Sequence, residues 1–162
     1  MRTKRTPAGP GGPRYDALLQ LLSTADTIWS ASRVFFEQWN LSPSQFHVLN
    51  LLHQHPEGLS QTELSTELVV HRSNVTGLVD RLEKRALLKR NEVAEDRRAY
   101  RVVLTRTGAD LLREILPRYY TAAERAWDSL SARRAAEVIT DLQQLSRNAQ
   151  RISRETNHGL KA

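Results

Sequence analysis

Apolar residues recur along most of this chain at intervals of three and four, the spacing of a helix that buries one face. Between Arg14 and about Asn40 the pattern is denser. Leu18, Leu19, Leu22, Ala25, Ile28, Trp29, Val34, Phe35 and Trp39 put apolar side chains on more than one face. A long helix of that kind is usually buried by more than its own domain. The next segment, Leu41-Ser42-Pro43-Ser44-Gln45-Phe46, is a helix start. Ser42 suits the cap, Pro43 the first helical position, Gln45 the reciprocal box, and Leu41 and Phe46 the hydrophobic staple. The helix that follows should bury Phe46, Leu49 and Leu52 and stop before Pro56 and Gly58. Leu59-Ser60-Gln61-Thr62-Glu63-Leu64 repeats the device for a shorter helix ending near Leu68.

A further helix is predicted over residues 72–86, where Val75, Leu78, Val79 and Leu82 form one inward stripe. The pattern then changes. Residues 87–91 read as one strand and 101–104, with the β-branched run Val102-Val103, as a second. Thr105 is a cap candidate for a long helix carrying Leu111, Leu112, Ile115, Leu116, Tyr119, Ala123, Ala126, Trp127 and Leu130, with a kink expected at Pro117. Ser131 can cap a last helix with Ala135, Val138, Leu142, Leu145 and Ile152 facing inward and its tail frayed beyond Thr156.

The predicted fold is mainly α with a small β-hairpin wing. Two short capped helices joined by a turn and followed by a hairpin define a winged helix-turn-helix, here flanked by long N- and C-terminal helices.

Composition narrows the function. The chain of 162 residues has no cysteine, which excludes disulfides, thiolate zinc sites and cysteine redox sensing. No apolar run approaches the ~18 residues of a membrane span, and no apolar core follows the basic N-terminus, so a cytoplasmic protein is expected. Net charge is +6, of which Arg2, Lys4, Arg5 and Arg14 supply four. That suits a polyanion partner and mere solubility equally well. Residues 1–13, rich in Gly and Pro, are expected to be a disordered tail.

The chemistry concentrates in the predicted helix pair and wing. Ser73, Asn74, Thr76 and Gly77 form a small polar face that can approach base edges, and Arg72 and Arg81 can reach phosphates or guanine edges. Ser60 and Gln61 begin the first helix of the pair, which would cross the DNA backbone, and are further candidate contacts. Asp80, Glu83 and Lys84 are expected to be solvated. The wing over residues 92–100 carries Asp96, Arg97 and Arg98, and a guanidinium at a hairpin tip can enter a minor groove.

These residues resemble the MarR family of bacterial transcription regulators. The resemblance is carried by Leu59-Ser60-Gln61-Thr62-Glu63-Leu64, by the run from Arg72 to Arg85, by Asp96-Arg97-Arg98, and by Val103-Leu104-Thr105-Arg106-Thr107-Gly108. It implies a homodimer built from residues 14–40 and 106–156, with residues 41–105 as the DNA-binding lobe. It also implies two recognition helices on a pseudo-palindromic double-stranded operator, half-sites roughly 34–36 Å apart. In the family pattern an arginine after the wing aspartate enters the minor groove. That role falls to Arg98, supported by Asp96 and Arg97, with the two arginines interchangeable. Two departures stand out: Ala86 occupies a position where the family usually has Gly, and His71 one where it favours a capping Ser, Thr or Asp.

The resemblance further implies a repressor released by a small aromatic or anionic effector, for which Trp29, Arg33, Trp39, His47 and His53 are candidate contacts. The plainer reading makes the tryptophans core and the histidines surface groups. On a helix His53 and His55 point apart, so no metal site is expected, and no cofactor motif or enzyme signature occurs. The competing class is a constitutive, nucleoid-type winged-helix DNA binder without ligand sensing.

Overall fold

The computed structural model describes residues 11–68, 75–93 and 96–159, with backbone only for 93, 96–99 and 157–159. The elements are α1 (Pro13–Glu37), α2 (Pro43–Gln54), α3 (Gln61–Glu67), α4 (Val75–Lys84), β1 (Leu88–Val93), β2 (Asp96–Leu104), α5 (Arg106–Trp127) and α6 (Ala132–Gly159). The chain divides into two compact units, Met1–Leu112 and Arg113–Ala162.

In the first unit α2 packs against α1, α3, α4 and β2, and α4 against β1. Both predicted capping boxes form. Ser42 N–H donates to Gln45 Oε1 at 2.8 Å while Gln45 N–H donates to Ser42 Oγ at 3.2 Å. Ser60 N–H donates to Glu63 Oε2 at 2.7 Å and Glu63 N–H to Ser60 Oγ at 3.2 Å. These donors are ones a helix start leaves without intrahelical partners. The predicted stripe of α4 is buried, Val75, Leu78, Val79 and Leu82, and it joins Phe46, Val48, Leu49, Leu52, Leu64 and Leu88 in one core. Phe36 and Phe46 stack there with ring centroids 4.3 Å apart.

The hairpin is antiparallel, and Leu59 extends its edge: Leu59 N–H donates to the Val102 carbonyl at 3.0 Å and Val102 N–H to the Leu59 carbonyl at 2.7 Å. Both strands exceed expectation. Instead of 87–91 and 101–104 they span Leu88–Val93 and Asp96–Leu104, because Asn91 pairs with Arg101 and Glu92 with Tyr100. Cross-strand pairing overrides the weak strand preference of charged residues. The register then passes from Glu92–Tyr100 to Val93–Asp96, so Arg97, Arg98 and Ala99 occupy extra length on β2 at an irregularity.

Other boundaries also moved. Helix α4 ends at Lys84, not 86, because Ala86 adopts φ 52° and turns the chain out of the helix. Helix α1 ends at Glu37, followed by Asn40 at φ 52°. Helix α5 ends at Trp127 with Pro117 inside it, as expected, and α6 runs to Gly159 rather than fraying after Thr156. Leu142, Leu145 and Ile152, expected to face inward, are exposed in the single chain. No described helix is long and apolar enough to cross a membrane.

Candidate nucleic-acid interface

Helices α3 and α4 meet at their first turns. The Thr76 hydroxyl donates to Gln61 Oε1 at 3.3 Å, while Gln61 Nε2 is buried without a partner among the described residues. Gln61 is therefore held between the two helices, and Thr76 remains exposed beside it. The Ser60 hydroxyl is engaged as the α3 cap, and its contacts, the backbone N–H first, hold the Glu63 carboxyl below the usual carboxylate range. Arg81 is exposed on α4. Arg72, Ser73, Asn74 and His71 lie outside the described residues, as do the side chains of Asp96, Arg97 and Arg98, whose backbone belongs to β2.

The wing is fastened to this pair by arginines that the sequence did not single out. Arg90 on β1 reaches α4, donating from Nη2 to Asp80 Oδ1 at 2.6 Å and from Nη1 to Glu83 Oε2, while its backbone N–H donates to Glu83 Oε1 at 3.1 Å. Its guanidinium also lies 5.3 Å from the centre of the Tyr100 ring, within cation–π range. Asp80 and Glu83, expected to be merely solvated, are thus wing supports. The available signal was two carboxylates at i and i+3 on one helix face, followed by a strand arginine.

Arg101 on β2 donates from Nη2 to the Gly58 carbonyl at 2.6 Å and lies 3.6 Å from Glu63. Gly58 is required at that close approach: its φ is +79° and an added Cβ would stand 2.6 Å from the Val102 carbonyl oxygen. At the base of the wing Thr105 accepts from Gly108 N–H at 3.1 Å, as a cap, and donates to the Ala86 carbonyl at 2.6 Å.

Next to this lobe a cleft of about 840 Å³ opens between the second half of α1 and the start of α2, lined by Trp29, Arg33, Val34, Glu37, Asn40 and Leu41 among others. Of the five candidate ligand contacts it brings together Trp29 and Arg33 only. Trp39 is half-buried and tilted against Phe35. His47 lies 6.4 Å from the Trp29 ring and edge-on to Phe46, and its burial pushes its pKa down. His53 is exposed near the end of α2. Among the described residues no group of three or more His, Asp or Glu is placed to hold a metal ion.

Comparison with known proteins gives this arrangement relatives. Residues 39–99 match the sequence model described as the MarR family. Over 84 residues the chain is 36% identical to the transcriptional repressor MprA of Escherichia coli (strain K12), covering 52% of this chain. It spans about half, 48%, of MprA's own length. Over 116 residues it is 32% identical to the HTH-type transcriptional regulator YfiV of Bacillus subtilis (strain 168), covering 72% of each chain. The fold matches that of the MepR protein of S. aureus, solved as a complex with DNA, with a TM-score of 0.71 at 21% identity, over 83% of this chain and 97% of that one.

Proposed function

The chain belongs to the MarR family, and from that membership we propose that it is a dimeric, sequence-specific DNA-binding regulator of transcription, a repressor released by a small ligand. One arrangement carries the proposal: the capped α3–α4 pair braced by Arg90 and Arg101 to an antiparallel hairpin. In this reading α4 and the residues just before it enter the major groove. Arg72, Ser73, Asn74 and Thr76 meet base edges and phosphates, and Arg98 at the wing irregularity enters the minor groove. Gln61 positions α4 through Thr76, and Arg81 contacts the backbone.

A second copy of the chain covers the apolar side chains left exposed on the long helices: Leu18, Leu22 and Ile28 on α1, Tyr120 on α5, and Ile139, Leu145 and Ile152 on α6. Two lobes then read a pseudo-palindrome. The cleft, with an indole and a guanidinium on its wall, suits a small aromatic or anionic effector. The name of MprA, a transcriptional repressor, and the DNA in the MepR structure support the same reading.

Selection of bound duplexes from a random pool tests it. A pseudo-palindromic motif should emerge, bound at least ~10³-fold more tightly than unrelated duplex at the same salt. Enrichment of no motif would refute sequence-specific regulation.

A further inference from the structure

Two helix ends in the first unit close in the same way. After α1, Leu41 N–H donates to the Phe36 carbonyl at 3.2 Å and Asn40 takes φ 52°. After α4, Leu87 N–H donates to the Leu82 carbonyl at 3.1 Å and Ala86 takes φ 52°. Each is a Schellman turn sealed by a buried leucine, Leu41 or Leu87. The side chain of Arg85 crosses from the second end to the first. Its Nη1 donates to the Asn40 carbonyl at 2.6 Å and its Nη2 to the Trp39 carbonyl at 3.1 Å.

The chemistry of this joint is directional. Helix α1 has no basic residue in its last turn, so Arg85 brings a cation to carbonyls at the negative end of that helix. A planar fork on two successive carbonyls fixes orientation as well as distance, which the compact ammonium of a lysine does not. Arg85 follows the C-terminal end of α4, at the opposite end from the residues assigned to base edges. Helices α1 and α4 also meet indirectly through α2, whose Phe46 stacks on Phe36. Arg85 joins the two directly.

We propose that Arg85 is a positioning residue that sets the angle between α1 and α4, and through it the spacing at which two half-sites are read. The proposal rests on the reading above, in which α1 belongs to the dimer interface and α4 enters the major groove. Helix α1 then carries the frame of the dimer and α4 the frame of the base contacts. Half-sites lie roughly one helical turn apart, about 34 Å, so a tilt at this joint displaces one recognition helix relative to the other along the DNA. Asn40 also lines the cleft, which puts the joint at the cleft's edge.

The test uses the full-length chain and its selected operator, with the centre of the operator lengthened or shortened by one base pair. Wild type, Arg85→Met and Arg85→Lys are titrated against each duplex, and thermal melting and light scattering confirm fold and assembly. Wild type should prefer the native spacing at least tenfold. Arg85→Met should bind all three spacings within about threefold of one another, and Arg85→Lys should fall between. Met and Lys variants that lose affinity uniformly, with the wild-type spacing preference intact, overturn the proposal. If Arg85→Met does not melt cooperatively, Arg85→Lys decides alone by the same criterion. A wild type that selects no motif overturns the functional reading and this inference with it, whereas a wild type that selects a motif but tolerates every spacing overturns only the inference.

Discussion

Replacing Ala86 with glycine should stabilise the protein. Ala86 has φ 52°, a left-handed conformation that costs an L-residue roughly 1–2 kcal/mol and glycine almost nothing. Its side chain is exposed, so removing the methyl sacrifices no buried contact. The backbone bonds are indifferent to the change: its N–H donates to the Glu83 carbonyl at 2.8 Å and its carbonyl accepts from the Thr105 hydroxyl at 2.6 Å. Against the relief stands the greater freedom of glycine in the unfolded chain, about 0.4–1 kcal/mol. The net gain expected for Ala86→Gly is about 0.5–1 kcal/mol, a rise of roughly 2–4 °C in Tm per kcal/mol for a chain of this size. Differential scanning calorimetry at fixed protein concentration reads it, with urea unfolding as a second measure. Asn40 is the internal control. It shares the same φ, but asparagine tolerates the left-handed region, so Asn40→Gly should gain less than Ala86→Gly. Ala86→Val, with a β-branched side chain, should lose stability. If Ala86→Gly is neutral or destabilising while Ala86→Val is tolerated, the turn after α4 is not left-handed in solution and the reasoning fails.

Gly108→Ala should destabilise by about 2 kcal/mol or more, because an added Cβ would stand 2.0 Å from the Leu87 carbonyl oxygen at the base of the wing; wild-type Tm in that variant would contradict the geometry. Arg90→Met should cost about 1 kcal/mol in urea unfolding, since its partners Asp80 and Glu83 are partly exposed and water resolvates them. Burial lowers the pKa of His47, so between its folded value and about 6.5 the unfolded chain binds the extra proton and stability falls as pH falls. His47→Gln should flatten the Tm profile between pH 7 and 5, and an unchanged profile would remove His47 as the cause. Arg98→Ala should weaken operator binding by ~1–3 kcal/mol in fluorescence anisotropy; wild-type affinity there would end the assignment of that arginine to the minor groove.

What proved legible in the chain was local. Ser42 with Gln45 and Ser60 with Glu63 formed both expected boxes, because a capping box closes over three residues and needs nothing from elsewhere. The stripe of Val75, Leu78, Val79 and Leu82 was buried as its period required. Trp29 and Arg33 share a cleft wall, but His53 stands exposed near the end of α2. Residue type suggested a contact in each case, and only packing says which surface is concave.

The sequence by itself determined which segments are helices, where α2, α3, α5 and α6 begin, which stripe of α4 faces the core, and that a basic hairpin follows it; the expected start of α4 at residue 72 lies outside the described residues. Those features depend on residues one or two turns apart. Tertiary structure decided how the pieces are held. Arg85 reaches carbonyls 45 and 46 residues away, Arg101 the Gly58 carbonyl 43 residues back, and Arg90 two carboxylates on the preceding helix. A guanidinium's pattern of neighbours in sequence is the same whether it faces phosphate or protein. Which it faces is set only when helix ends and strand edges come together and leave carbonyls and carboxylates that need a donor.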